Sequence, residues 1–392
     1  MEDSEMDAQD VLWCEGYKDI RVLTGPDWLQ AGMLLRQQRP RHSGIKLLSR
    51  GQESESGGEP SFSCYDVDVL IVAVRMLLSM GFAAKGEHAN SPILSCAWHN
   101  FGWNRNADYV AKGMLLSKLF PEDHEPSTLK GKLTIERLFD HPEIKAAIFS
   151  SPDFALRETE EFVGPRDASI VEELNAVAHD PDSSHVHWDG SCDIGRAASR
   201  QAGSIQLEVV NEDRVHVRYS GRPRFIRVTY VPATRTSPRF EDLKRFKLTA
   251  PCLIRPEVGE TGQVEDGNDT YCLSIVVRVG REAAQSTVVD TDIRLYDGEG
   301  DPIHGDRECL AEFRPLWNTK LRPQESWTVG TKGYRYILFY SRMFMDETGR
   351  ERAATPPPPR GTVGELLPQY QDAAFLRPRM GKAPTSREGE EE

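Results

Sequence analysis

Ser63-Cys64-Tyr65-Asp66-Val67-Asp68-Val69-Leu70-Ile71-Val72-Ala73-Val74-Arg75-Met76-Leu77-Leu78-Ser79-Met80-Gly81 decides how the rest of the chain is read. Val67, Leu70, Ile71, Val74, Leu77 and Leu78 recur at i, i+3, i+4 and i+7, the spacing of one helix face. Val69, Val72, Ala73, Met76 and Met80 make the other side apolar too, so this helix belongs in the middle of a core. Asp66 or Asp68 is expected to cap its N-terminus and Gly81 to end it. The unbroken apolar run at 69–74 stops at Arg75, far short of the ~20 residues that cross a bilayer, so no membrane span is expected.

Working outward, helical signals recur at 107–119, 134–140, 142–147 and 169–178, which makes the first half α-rich. From about 204 the pattern shifts to period two and β-branched residues. Strands are predicted at 205–210, 214–219, 225–230, 271–279, 291–296 and 334–340. Turn signals separate them at Asn211-Glu212-Asp213, Ser220-Gly221 and Asp297-Gly298-Glu299-Gly300. Helices first and strands after predict an α+β fold with an antiparallel sheet in the C-terminal half. No internal repeat is visible. One domain is expected over 60–345. It follows a partly disordered segment, 1–59, whose polar run at 52–58 reads as a linker. A proline-rich and acidic tail, 346–392, is expected to be disordered, with Leu366, Leu367, Tyr370 and Phe375 as a short docking segment or as part of an inert tail.

The chain has 392 residues, 39% hydrophobic and 28% charged, enough apolar content for a sizeable core. Lys and Arg number 48 against 61 Asp and Glu, and a net charge of −13 argues against nucleic acid or an anionic membrane as the main partner. Seven cysteines, at 14, 64, 96, 192, 252, 272 and 309, include no Cys-x-x-Cys pair, which fits a reducing compartment and no zinc knuckle. The acidic N-terminus lacks an apolar h-region, so the cytoplasm or nucleus is the expected location. No Walker loop, Gly-x-Gly-x-x-Gly after a strand, His-Glu-x-x-His or Gly-x-Ser-x-Gly occurs, and no cofactor is expected.

Cys64, directly before the buried helix, is the strongest chemical signal. A thiol at a helix N-terminus meets the positive end of the macrodipole and unpaired N–H groups, which favour a thiolate and can hold an oxyanion. The competing reading is a buried structural cysteine. Cys64-Tyr65 with Leu70 six residues on resembles the Cys box of the ubiquitin-specific proteases, Cys-Tyr-x-Asn-x-x-Leu. Further pieces resemble the same family in the same order. Arg222-Pro223-Arg224-Phe225-Ile226-Arg227-Val228 looks like its Leu-Pro strand, and Tyr271-Cys272-Leu273-Ser274-Ile275-Val276-Val277 looks like its Tyr-x-Leu-x-Ala-Val-Val strand. Trp327 and Tyr334-Arg335-Tyr336-Ile337-Leu338-Phe339-Tyr340 look like its closing elements. The resemblance spans about 64–342 and implies a papain-like fold with ubiquitin, a ubiquitin-like protein or a peptide as partner.

The departures concern the chemistry. The family's catalytic His falls on Thr291, so the general base is absent from its expected position. His304 is the one His between 279 and 334 and is a weak alternative base, while Asp297 is a weak candidate for the third triad position or simply a turn residue. Glu59 stands where an oxyanion-hole Asn is expected and Val67 where the Cys box has Asn. The implied function is a non-catalytic ubiquitin-protease-like binding module. Two alternatives stand beside it: an active thiol hydrolase using Cys64, and a regulatory interaction protein unrelated to ubiquitin.

Three other constellations were weighed. His185-Val186-His187 with Cys192 offers metal donors without a fourth ligand at diagnostic spacing and is read as a polar loop, with no metal expected. Trp98, His99 and Trp103 form an aromatic cluster, either core or groove lining. The basic stretch 214–247, with Tyr219, Phe225 and Tyr230 interleaved, is either a single-strand nucleic-acid platform or a set of solvated strand arginines.

Overall fold

The structure, a computed structural model, describes residues 19–24, 28–37, 40, 43–47, 60–84, 86–101, 105–123, 125–130, 132–163, 173–176, 184–203, 206–211, 214–233, 238–254, 263–279, 291–297, 300, 303, 329–345 and 351–353. Among them, no helix is long and apolar enough to cross a membrane.

The helical layer comes first along the chain. It contains α1 (Ile20–Thr24), α2 (Trp28–Gln37), a short hairpin of β1 (Gly44–Ile45) and β2 (Phe62–Ser63), and the central helix α3 (Tyr65–Ser79). There follow α4 (Pro92–Trp98), α5 (Arg105–Leu119), α6 (Pro126–Lys130), α7 (Ile135–Phe139) and α8 (Pro142–Ile144), which runs on as a π turn over Lys145–Phe149. Every residue of α3 from Asp66 onward is buried, as its all-round apolar pattern requires. Its N-cap is Cys64 rather than Asp66 or Asp68, in extended backbone (φ −142°, ψ 111°) and with no side-chain cap. The two aspartates occupy the first turn instead. At the other end Gly81 takes φ 84°, a left-handed conformation open to glycine, and the Phe82 N–H returns to Leu77 O at 3.0 Å.

Arg75, the one charge in the middle of α3, is fully buried and explains how two neighbouring helices can end there. Its guanidinium donates to Ala97 O (2.7 Å) and His99 O (2.8 Å) at the end of α4, and to Leu34 O (3.2 Å) and Leu35 O (3.3 Å) in the last turn of α2. Terminal helix carbonyls have no intrahelical partner, and a planar guanidinium with five donors can satisfy several at once.

The second half builds sheets from β3 (Arg157–Val163), β4 (Glu173–Ala176), β5 (His185–Trp188), β6 (Gln206–Asn211), β7 (Arg214–Ser220), β8 (Phe225–Tyr230), β9 (Arg245–Ile254), β10 (Gln263–Val279), β11 (Asp292–Leu295), β12 (Arg335–Met345) and β13 (Glu351–Ala353), with α9 (Ile194–Ala202) and α10 (Phe240–Lys244) between them. The main sheet runs β11-β10-β12-β8-β5, with β9 paired to β10 and β13 to β12; only β5–β8 is parallel. A second antiparallel sheet runs β4-β3-β7-β6. Side chains alternate across a strand. Phe225, Ile275, Val277, Ile337 and Phe339 pack on the helical layer, whereas Ile226, Val228, Val276, Leu338 and Tyr340 form a second core with Ile194 and Ala198 of α9. A sheet covered on both faces explains why most residues of these strands are apolar on either side, with Arg227 and Ser274 among the exceptions. The fold is α+β, with a cysteine at the head of a buried helix that lies on a mostly antiparallel sheet.

Two sequence expectations need correction. Residues 173–176 are a strand within the span expected to be helical, its apolar residues too few to distinguish period two from 3.6. β3, β5, β9 and α9 had no prediction; β5 is four residues long, too short for a periodic signal.

The entry into α3 is fixed by contact with α5. Lys46 N–H donates to Tyr109 O at 3.1 Å, and a Cβ built on Gly113 would lie 1.8 Å from Lys46 O. Gly113→Ala is therefore expected to push residues 43–47 off α5 at a cost of about 2–3 kcal/mol, the range of overpacked sites. Chemical denaturation of both proteins checks this; equal midpoints would contradict it.

Candidate functional site

Three segments converge at the head of α3. The first is Cys64 itself, held by its backbone N–H to Ser43 O at 2.9 Å across the β1–β2 hairpin. The second is the chain entering α7, where Cys64 Sγ faces Leu133 O at 3.7 Å and the Ile135 amide reaches the Asp66 carboxyl. The third is Thr291 at the start of β11. Thr291 is 4% exposed, and its Oγ1 meets no partner at full hydrogen-bond geometry, yet it lies near enough to Asp66 to favour the charged carboxylate. Asp66 thus links Cys64 at the helix head, the chain entering α7 and Thr291 at the start of β11, with Asp66 and Thr291 buried and Cys64 half-buried. The sequence placed Cys64 and Thr291 in this site but gave Asp66 only a capping role. Its position two residues after the cysteine was the available signal.

The electrostatics run against nucleophilic chemistry. Burial pushes the Cys64 thiol up to about 11; the Val67 and Asp66 amides oppose this, while the Asp66 and Asp68 carboxylates add to it. The helix head offers the positive dipole end expected, but two acidic residues in the first turn offset it. No imidazole is among the groups acting most strongly on the thiol. Asp66 itself is raised to about 6, chiefly by burial and against the help of Thr291 and the Ile135 amide. At neutral pH this cluster therefore holds a protonated thiol, a mostly ionised carboxyl and a hydroxyl: hydrogen-bonding groups without an activated nucleophile.

Asp66 makes a stability prediction with a defined sign. Its folded carboxyl titrates near 6 against the ordinary 3.8 of an exposed aspartate, so the native state holds a proton that the unfolded chain releases. The stabilisation is complete below about 4 and is lost as pH rises through 6. Asp66→Asn mimics the protonated form and is expected to be more stable than wild type by up to about 3 kcal/mol at pH 8, from roughly two pK units at 1.36 kcal/mol each. The advantage should vanish near pH 4. Urea unfolding of both proteins at the two pH values checks this; an Asn variant less stable at pH 8 would contradict it.

The remaining sequence candidates lie elsewhere. Asp297 follows the far end of β11, six residues and about 20 Å of strand from Thr291. There it acts on Arg36, whose guanidinium bonds Ser79 at the C-terminal end of α3. It therefore cannot complete a triad with Cys64. His304 and Glu59 lie outside the described residues; Ile303, next to His304, donates to Leu295 O at 2.9 Å. Val67 is fully buried in the core. His99 pairs with Asp108 at 3.0 Å, both side chains 1% exposed, and Trp98 is buried, so these two are core; Trp103 lies outside the described residues.

The basic stretch 214–247 is dispersed by the fold. Arg227 is buried, Arg222 pairs with Asp269 at 2.6 Å, Arg224 donates to Gly81 O, and Arg239 and Lys244 pair with Asp242 and Glu241. Tyr219, Phe225 and Tyr230 are buried and offer no face on which a base can stack. Among the described residues no three His, Cys, Asp or Glu side chains are grouped to hold a metal.

No protein-family model and no curated protein matches the sequence. Solved structures with a similar arrangement include the Saccharomyces cerevisiae apo Pan2 pseudoubiquitin hydrolase-RNA exonuclease module in complex with A7 RNA, at TM-score 0.35 and 8% identity over 78% of this chain. This chain spans 55% of the length of that one. The S. cerevisiae PAN2 pseudoubiquitin-hydrolase is similar at TM-score 0.31 and 9% identity, covering 81% of this chain and 88% of that one. Scores and identities this low leave the family unassigned.

Proposed function

We propose that the chain is a non-catalytic, ubiquitin-protease-like binding module of the cytoplasm or nucleus. It takes an extended polypeptide end at the cleft between the head of α3 and the start of β11, with ubiquitin or a ubiquitin-like protein as first candidate. The observation that carries this reading is the Cys64–Asp66–Thr291 cluster. The sequence resemblance puts Thr291 where a base would stand, Thr291 lies beside Asp66, and burial with two carboxylates keeps the Cys64 thiol protonated. Such a cluster can still exchange hydrogen bonds with a peptide backbone. A second reading, a thiol hydrolase, is favoured only by the position of Cys64 at the N-cap of a 15-residue helix.

Titration of isotope-labelled ubiquitin with the full chain, read by NMR, tests the partner. Saturable shifts at the ubiquitin C-terminus that Thr291→Arg removes are expected. An unperturbed spectrum at millimolar protein would overturn the assignment to ubiquitin.

A further inference from the structure

A second polar cluster sits at the β5 edge of the main sheet, on the same face as the helical layer. The parallel register pairs His185 with Arg227 and His187 with Thr229, so these four side chains project together. Val186, Trp188, Val228 and Tyr230 fill the core on the other face. His185 Nε2 meets Thr229 Oγ1 at 2.5 Å, and the His185 and His187 rings are 4.4 Å apart. Arg227 is 4% exposed, its guanidinium 4.7 Å from the Phe149 ring and 5.4 Å from the Phe139 ring. Phe149 closes the π turn that Lys145 opens, and π turns inside helices recur at functional sites. His187 is exposed and His185 half-buried, so the cluster opens to solvent.

The charge balance there is positive. Arg227 from β8, Lys145 from the π turn and His187 from β5 all act on His185 and, after burial, hold its imidazole down at about 3. The carboxylate seen within ion-pair distance is Asp140, 3.3 Å from Arg227 and 55% exposed. Burial, the main cause, favours no ion, but the positive charge of Arg227 and Lys145 repels a metal cation and draws an anion.

We propose that this cluster binds a phosphate group, with Lys145 and His187 reaching it from the solvent side, His185 beside it and the buried Arg227 behind. Several donors on one wall suit a tetrahedral dianion, whose oxygens accept charge-assisted hydrogen bonds from each. Free phosphate and a phosphate ester share this chemistry.

The test is NMR of the full chain labelled at histidine Cε1, with His185 and His187 assigned from single Gln variants and ionic strength held constant. Inorganic phosphate at pH 7.5 is expected to move both resonances saturably, with at least about fivefold weaker binding in Lys145→Gln. O-phosphoserine binding more tightly than inorganic phosphate would assign the site to an ester, and the reverse order to free phosphate; either supports the proposal. No saturable shift, or equal shifts in wild type and Lys145→Gln, would overturn it.

Discussion

Lys112→Met is expected to lower the unfolding free energy by about 3–5 kcal/mol at pH 8, the cost of leaving a buried charge without its partner. Lys112 Nζ lies 2.9 Å from Asp68 Oδ1, with the two side chains 0% and 3% exposed. The pair ties the first turn of α3 to the middle of α5 under the candidate site. Burial raises the Asp68 carboxyl even with Lys112 beside it, so Asp68 has no comparable source of compensation if the ammonium is removed. Methionine keeps most of the side-chain volume, so the loss reports charge rather than a cavity. Asp68→Asn in the same background should recover most of it, because the amide removes the stranded charge. Urea denaturation of the single and double variants measures the coupling. A single variant within 1 kcal/mol of wild type would show that the pair contributes little.

Cys64 is expected to react with iodoacetamide at pH 8 about 20-fold more slowly than the same cysteine in the unfolded chain. With a thiol near 11, about 0.1% is thiolate at pH 8, against roughly a quarter for a free thiol of pKa about 8.5. That ratio of about 240 is partly offset by the greater nucleophilicity of a more basic thiolate, roughly tenfold over 2.5 units at a Brønsted slope of 0.4–0.5. Half-burial slows it further. Asp66→Asn removes one of the two carboxylates that disfavour the thiolate and should speed the reaction. Mass spectrometry of the Cys64 peptide against time gives both rates. Alkylation of the folded protein faster than the unfolded one would mean that the helix dipole outweighs burial and the carboxylates.

The central helix was legible because its apolar residues occupy every face over four turns, a pattern no surface element produces. The strands at 225–230, 271–279 and 334–340 were legible for a similar reason, since burial on both faces leaves runs rich in β-branched, aromatic and other apolar residues. Arg75 and Lys112 were not. A charge inside an apolar stretch signals burial only once its acceptors are known, and those come from Leu34, Ala97, His99 and Asp68, residues 22 to 44 positions away. In the candidate site, the sequence resemblance named Cys64 and Thr291, and the fold brings Thr291 beside Asp66, two residues after Cys64. Asp66 was invisible as a site residue because an acid in a first helical turn is the ordinary capping signal. Asp297 was misplaced because spacing along the sequence does not reveal which end of a strand faces the helix head.

Incubation of the full chain with ubiquitin bearing a thiol-reactive group at its C-terminus tests the central claim most directly, with the intact mass read at neutral pH for wild type and Cys64→Ala. The protonated thiol and the proposed loss of the base predict no adduct on either protein, even at concentrations where ubiquitin binds. A stoichiometric adduct on wild type that Cys64→Ala abolishes would contradict the account and make this site a working nucleophile.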